Sequence, residues 1–578
     1  MGRVEGGIGI PLPERQRPGT GSFDTRPRAV GAWLDALPMA NVGETAKRVY
    51  EAVKEVNRLQ LPSTARFQFL EGLPTAVDHV HVVLQKHYLD QTFPLSEKAT
   101  KVAHFIRALH SELALGYVTA AEDMLAASFF RRDKRALCIM FQSALHHYAV
   151  SMLVSYQIYA PPPRGLWSNI HHLYRAAEAK SLHRTATRRG GHRLSKVTLE
   201  TLYKQVLLLS LASPYRLGRG ETECVHRLLE IWAPLATLQP FPKNDTPRGL
   251  FVVHLSRDEE PRYLAPQGEV CTAEHCRLLD TNSLTEVVRR EMEREEAGEA
   301  NTLRRQLDDK ALTPKLLRRL ALVWGLPLER RHPRAAAEGE IETINGLAAL
   351  HRTLAGHRPI GQTALFTGQA HFRGRPPRAA QGPKDVWDLY EPQAPLEVAT
   401  NGAHKPPAPV AAESQTWRLK DRSEGGFCLF CGQQNTVGAH VGALMGLREG
   451  TGGWNVGVVR WMKHPALRTL EVGVEVLASH AEPLAARRTG GDAEFQRTLL
   501  LKEPEGRNRL ILPPLLFRPG DRLELRTDTG EYLVGLTKLI EDTASFAQFG
   551  FKTLDPKTRE PFSPAAETGD FSGLWSQI

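Results

Sequence analysis

This sequence lacks the features that identify most enzymes, membrane proteins and secreted proteins. No stretch of eighteen uninterrupted apolar residues occurs, and the N-terminal "MGRVEGGIGIPLPERQRPGTGSFDTRPR" has no apolar block of the kind an export signal needs. Its Met-Gly start lacks the Ser or Thr that accompanies myristoylation. Only six cysteines (Cys138, Cys224, Cys271, Cys276, Cys428 and Cys431) are spread over 578 residues. That is too few for a disulfide framework and agrees with a reducing compartment, so the expected location is the cytoplasm. There is no G-x-S-x-G elbow, no Walker-type phosphate loop, no Rossmann fingerprint and no nucleophile–base pair in a credible setting. The expectation is therefore a non-enzyme with no catalytic residues, no metal and no cofactor. The excess of basic over acidic groups is small for this length: 74 against 64, a formal net charge of +10. It favours an anionic partner without naming one.

What is present is a chain long enough for two to four domains, with 42% hydrophobic residues to fill their cores. Residues 1–30 carry Gly, Pro and Arg with few large apolar groups and are expected to be disordered. From 31 to 367 apolar residues recur at helical spacing, as at Val49, Val53 and Val56, and again through "RALCIMFQSALHHYAVSMLVSYQIY". Ser63 and Ser96 are candidate N-caps, and the Pro214/Gly218 turn joins one helix pair. Roughly ten helices in a bundle or short solenoid are expected, with a small β-hairpin inserted near 250–280. Residues 368–413 are rich in Pro, Ala and Gly and read as a linker. Beyond it the period changes from 3.6 to 2, for example in "RTLEVGVEVLA" and "WNVGVVRWM". Short, closely spaced strands of this kind predict an antiparallel barrel over 414–485, a second β-unit over 490–555 and a tail over 556–578. The fold class is thus multidomain α + β.

The stretch "WRLKDRSEGGFCLFCG", Trp417 to Gly432, admits two readings. The first is a Cys-x-x-Cys metal knuckle at Cys428 and Cys431, but no second pair lies nearby. In a strand, residues three apart also point to opposite faces, so packing is the favoured account of both thiols. The second is a polar turn, Asp421-x-Ser423-x-x-Gly426, closed by glycines that can take φ > 0 and able to hydrogen-bond a nucleobase or phosphate. Elsewhere, Cys271, His275 and Cys276 of "CTAEHC", with His254 from the preceding strand, are candidate ligands; a surface turn with reduced thiols is the favoured reading. The pairs His146/His147 and His171/His172 read as boundary residues, since adjacent helical residues cannot face one ligand. The basic loop Arg184, Arg188, Arg189, Arg193 and Lys196 lacks interleaved aromatics, which makes nucleic acid an unfavoured partner.

In context the Asp421 turn says more. "DRSEGGFCLF", "VGALMGLRE" and "WNVGVVRWMKHPALRTLEVGVEVL" follow the order and spacing of a PilZ domain, and residues of about 415–480 resemble that bacterial family. The resemblance implies a six-stranded barrel that binds cyclic di-GMP as a regulatory ligand, with Asp421, Ser423 and Gly426 at the ligand corner. The family also carries an R-x-x-x-R clamp on the loop ahead of the barrel. No arginine lies between Arg378 and Arg418, so the substitutes are Arg373, Arg375 and Arg378 in the linker, or Arg418 and Arg422 beside the turn. Arginine suits the role because its planar fork grips phosphate with two hydrogen bonds and can stack on guanine. The expected function is a cytoplasmic signalling effector, in which ligand binding orders linker arginines and repositions a helical domain that holds a protein partner. The alternative is a degenerate PilZ scaffold that binds protein or RNA and no nucleotide.

Overall fold

The computed structural model describes residues 7–89, 91, 93–127, 133–187, 197–242, 251–264, 271–296, 311–325, 335–356, 414–432, 439–466, 469–490, 494–502, 508–527 and 530–554. The chain divides into two compact units, one ending at Arg331 and the other beginning at His332, with Lys463–Leu470 grouped with the first.

In the first unit eleven α-helices are described between Pro27 and Gly325. Its centre is the antiparallel pair Glu97–Ala126 and Lys134–Gln157, entered through side-chain caps that satisfy otherwise orphaned amides. Ser96 accepts from the Ala99 amide at 3.2 Å, as its position predicts, and Asp133 accepts from the Arg135 and Ala136 amides. Ser63 is not the cap expected of it. It lies inside its helix and donates its hydroxyl to the Ala120 carbonyl at 2.7 Å, tying two helices together. The helix Lys134–Gln157 is long and apolar enough to span a membrane by composition, but 72% of its apolar window is buried, with Met140, Phe141, Leu145 and Met152 in the core.

Two expectations for this unit change. Residues 7–30 are anchored: Ile8 and Ile10 are buried in the helical core, and Arg15 makes two hydrogen bonds with Asp123. A few well-placed apolar residues suffice to hold a segment whose average composition is that of a loop. The hairpin near 250–280 is larger than expected, a four-stranded sheet of β1 (Thr237–Pro240), β2 (Phe251–His254), β3 (Arg262–Tyr263) and β4 (Cys276–Asp280) in the order β1-β4-β2-β3.

The second unit contains two closed antiparallel barrels of six strands each. The first consists of β5 (Ala335–Asn345), β6 (Gln415–Ser423), β7 (Gly426–Cys431), β8 (Leu444–Glu449), β9 (Asn455–Lys463) and β10 (Leu470–Ala478), closing in the order β10-β7-β6-β5-β8-β9. Its first strand therefore lies ahead of the Pro-rich stretch. That stretch, assigned to a linker between domains, runs in sequence between two strands of one barrel, and the boundary drawn at 368 moves upstream. "AAAEGEIETIN" lacks a continuous apolar alternation because only Ile341, Thr343 and Ile344 are buried. The helix Leu347–Leu354 follows β5. Leu350 is buried with Ile344, Leu444 and Val458, and the His351 Nε2 lies 3.0 Å from the Leu484 carbonyl.

The second barrel, β11 (His480–Arg488), β12 (Gln496–Lys502), β13 (Arg509–Leu512), β14 (Arg522–Thr527), β15 (Gly530–Asp542) and β16 (Ala547–Thr553), begins ten residues before the expected unit and is a complete closed barrel. Leu499, Leu501, Ile511 and Phe546 share a core with Leu444, Val456 and Val458 of the first barrel. Arg460 of β9 adds a two-pronged ion pair to Glu541 of β15, at 2.5 and 3.0 Å. The tail expected over 556–578 and the linker body lie outside the described residues.

Candidate functional site

The site begins with the alternation of β6. Trp417 and Leu419 are buried in the barrel and Arg418 between them is exposed on the other face, with Lys420 and Arg422 exposed further along. Asp421 and Ser423 are half-buried at the strand's end, next to the Glu424-Gly425 turn. An extra residue in β6, between the pairs Leu419↔Leu429 and Asp421↔Cys428, bends the strand at this point. The Ser423 hydroxyl reaches the Gly426 carbonyl at 3.4 Å and bridges the turn.

The glycines of this corner serve a purpose other than positive φ, since neither Gly425 nor Gly426 is among the left-handed residues. Barrel closure is what requires Gly426. A Cβ there would overlap the Val474 carbonyl oxygen and sit 3.2 Å from the Glu475 Cα, because β7 runs against β10 at this point. The Val476 amide donates to the Gly425 carbonyl at 3.0 Å and seals the seam. Gly457 and Gly473 follow the same rule: a Cβ on Gly457 would lie 2.9 Å from the Glu475 carbonyl, and one on Gly473 would overlap the Trp461 ring.

The proposed arginines divide into distinct groups. Arg418 and Arg422 are both exposed, but the extra residue between Leu419 and Asp421 breaks the alternation that would put them on one face. Arg422 lies 3.8 Å from Glu449, with both side chains exposed. Arg373, Arg375 and Arg378 lie outside the described residues. The placement of β5 exposes a candidate that sequence reading missed. Immediately ahead of this strand the chain reads Arg330-Arg331-His332-Pro333-Arg334, a literal R-x-x-x-R. In the β5–β6 ladder Ala335 pairs with Arg422 and Ala336 with Asp421, so the strand that this motif leads into starts beside the polar corner. The signal is in the sequence, but it lies far ahead of Trp417, and only the pairing of β5 with β6 brings the strand that follows it beside the corner.

The other candidates also find their places. Cys428 and Cys431 are both buried and join no group of metal-type ligands among the described residues. Arg184 hydrogen-bonds Glu200 at 2.9 Å; the rest of its basic loop lies outside the described residues. His171 is a core residue rather than a boundary one. Its Nε2 donates to the Glu259 carbonyl at 2.9 Å, leaving Nδ1 to accept from the Tyr203 hydroxyl at 2.6 Å, and burial lowers its pKa to about 4. His147 belongs to a chain of rings across three helices: His81 Nδ1 lies 3.0 Å from His110 Nε2, and His110 Nδ1 lies 3.0 Å from His147 Nδ1.

Three family models match the chain in sequence: the N-terminal domain of the cyclic-di-GMP receptor FimW over residues 28–243, its middle PilZ domain over 250–483, and its C-terminal β-barrel domain over 484–554. The middle region of this chain is a PilZ domain. The curated protein "Cyclic-di-GMP receptor FimW" of Pseudomonas aeruginosa strain PAO1 is 29% identical over an alignment of 615 residues covering 98% of each chain. No solved structure matches at a significant level. The FimW models cover the helical unit and both barrels, so the second barrel is a regular part of the family's architecture. The middle model begins at 250, well before Trp417, and thus takes in β5 and the Arg330–Arg334 motif.

Proposed function

We propose that this chain is a cyclic di-GMP receptor whose ligand is held between the Asp421-x-Ser423-x-x-Gly426 corner and an arginine clamp formed by Arg330 and Arg334. The supporting observation is the register of β5 on β6, which starts the strand after Arg334 opposite Arg422 and Asp421. The chemistry agrees. Two guanidinium forks supply charge-assisted, two-pronged hydrogen bonds to phosphate and flat faces for guanine, while a carboxylate and a hydroxyl accept from and donate to a base edge. The relative's printed name and the matched PilZ model point the same way. No chemistry on the ligand is invoked. The receptor acts in the cytoplasm, where the messenger is found, and transmits occupancy to a protein partner of the helical unit.

Isothermal titration of the full chain with cyclic di-GMP tests this reading. Each of Arg330→Ala, Arg334→Ala and Asp421→Ala should weaken binding about 10- to 100-fold, since one charge-assisted hydrogen bond is worth roughly 1.5–3 kcal/mol and 1.4 kcal/mol is a factor of ten. Arg418→Ala/Arg422→Ala and Arg375→Ala/Arg378→Ala should leave it nearly unchanged. Absence of binding up to high micromolar ligand would leave a protein-binding scaffold in place of a receptor.

A further inference from the structure

The four-stranded sheet of the helical unit holds a cluster of soft ligands unconnected with the nucleotide corner. His254 ends β2 and Cys276 begins β4, and the two are directly paired in the antiparallel ladder. The chain then folds Cys271 back over this pair. The Cys276 amide donates to the Thr272 carbonyl at 2.8 Å and the His275 amide to the same oxygen at 3.1 Å, closing the turn Thr272–Cys276. As a result one nitrogen of His254 and the Sγ atoms of Cys271 and Cys276 all lie within 4.8 Å of one another, with His254 Nδ1 and Cys276 Sγ at 3.3 Å. Ligand atoms on a tetrahedral zinc ion, with Zn–S about 2.3 Å and Zn–N about 2.0–2.1 Å, stand roughly 3.5–3.8 Å apart. The cluster can reach that spacing by small side-chain rotations.

We infer that His254, Cys271 and Cys276 form a zinc site that fastens the 271–275 turn to the β2–β4 ladder. The donor set selects the metal class: two thiols and an imidazole, with no carboxylate among them, suit Zn²⁺ and not Mg²⁺ or Ca²⁺. Two thiolates and a neutral imidazole balance the dication's charge, so a neutral assembly replaces polar groups packed against Phe241, Val252, Leu264 and Leu278. Access is one-sided. His254 and Cys276 are buried, whereas Cys271 is half-exposed, so an ion enters from the turn. The fourth position is left for water or for His275, the next donor along the turn, whose side chain is half-exposed. The turn is braced from behind by Arg277, which donates to the Ala273 and Cys276 carbonyls and is itself held by Glu178. Such outer support keeps metal ligands oriented. In sequence His254 is a candidate partner of this turn, but a surface turn is the favoured reading because only the pairing of His254 with Cys276 shows that it meets both thiols.

The test uses full-length protein purified under reducing conditions without chelator. Metal analysis should find one equivalent of zinc. After chelation, Co²⁺ should restore one equivalent of bound metal and produce a thiolate-to-cobalt charge-transfer band. Cys271→Ser lies on the accessible turn and should fold as the parent does by circular dichroism; it should lose about half of the band's intensity and bind metal at least tenfold more weakly. His254→Gln should shift the band. Cys428→Ser/Cys431→Ser should leave it unchanged. The proposal is overturned if wild-type protein retains no zinc and gives no cobalt–thiolate band, if Cys271→Ser leaves the band untouched, or if mass spectrometry finds Cys271 and Cys276 joined as a disulfide in the metal-free protein.

Discussion

Replacement of Gly426 by alanine separates the architecture of the ligand corner from its chemistry. The added Cβ overlaps the Val474 carbonyl oxygen and crowds the Glu475 Cα at 3.2 Å. Both are backbone atoms of β10, so no side-chain rotation relieves the clash, and the strands must separate by roughly 1 Å, a displacement of the kind that makes overpacking cost about 1–3 kcal/mol or more. That separation also strains the hydrogen bond from the Val476 amide to the Gly425 carbonyl, worth about 1 kcal/mol. The sum is about 2–4 kcal/mol, which for a unit of this size corresponds to a fall in melting temperature of roughly 10 °C. Calorimetry of the full chain measures it directly. Asp421→Ala is the comparison: it should lower ligand affinity while lowering the melting temperature less than Gly426→Ala does, since it adds no atom against β10. If Gly426→Ala melts with the parent and loses ligand affinity, the glycine serves the ligand instead of barrel closure, and the steric argument is wrong.

Acid stability should carry the signature of His171. Its folded pKa of about 4 lies below the ordinary 6.5, so between those values the unfolded state binds the proton and the folded state does not. Stability therefore increases with pH across this window and is lost on acidification, by about 3 kcal/mol near pH 4. Urea midpoints measured from pH 7 down to 4.5 should show the slope, and His171→Gln should flatten it; an equal slope in the variant would assign the acid limb to other groups. Arg460→Met should destabilise the two-barrel unit by about 2 kcal/mol, because Glu541 is nearly buried and loses both hydrogen bonds, with the value reduced because the arginine is one-third exposed. The double variant Arg460→Met/Glu541→Gln should cost less than the sum of the two single changes, and strict additivity in denaturant titrations would show the pair to be uncoupled.

Much of this protein is determined by local pattern. The helical period of "RALCIMFQSALHHYAVSMLVSYQIY" places Met140, Phe141, Leu145 and Met152 in a core whatever their partners, and the alternation of "LEVGVEVLA" makes a strand with Leu470, Val472 and Val474 buried. The Asp421-x-Ser423-x-x-Gly426 corner was legible for the same reason, since its residues are neighbours in the chain. Tertiary structure decided the relations between distant residues. That Ala335–Asn345 is the first strand of a barrel whose next strand starts at Gln415 depends on pairing across about seventy residues, and no local period reports it. This pairing is what makes Arg330 and Arg334, just ahead of β5 in sequence, candidates for the arginine clamp. Likewise His254, Cys271 and Cys276 become neighbours only when β2 and β4 align, and Gly426 is required only where β10 closes against β7. Side-chain chemistry and period belong to the sequence, whereas register and closure arise when separate segments exclude water together, and here they determine which of those side chains meet.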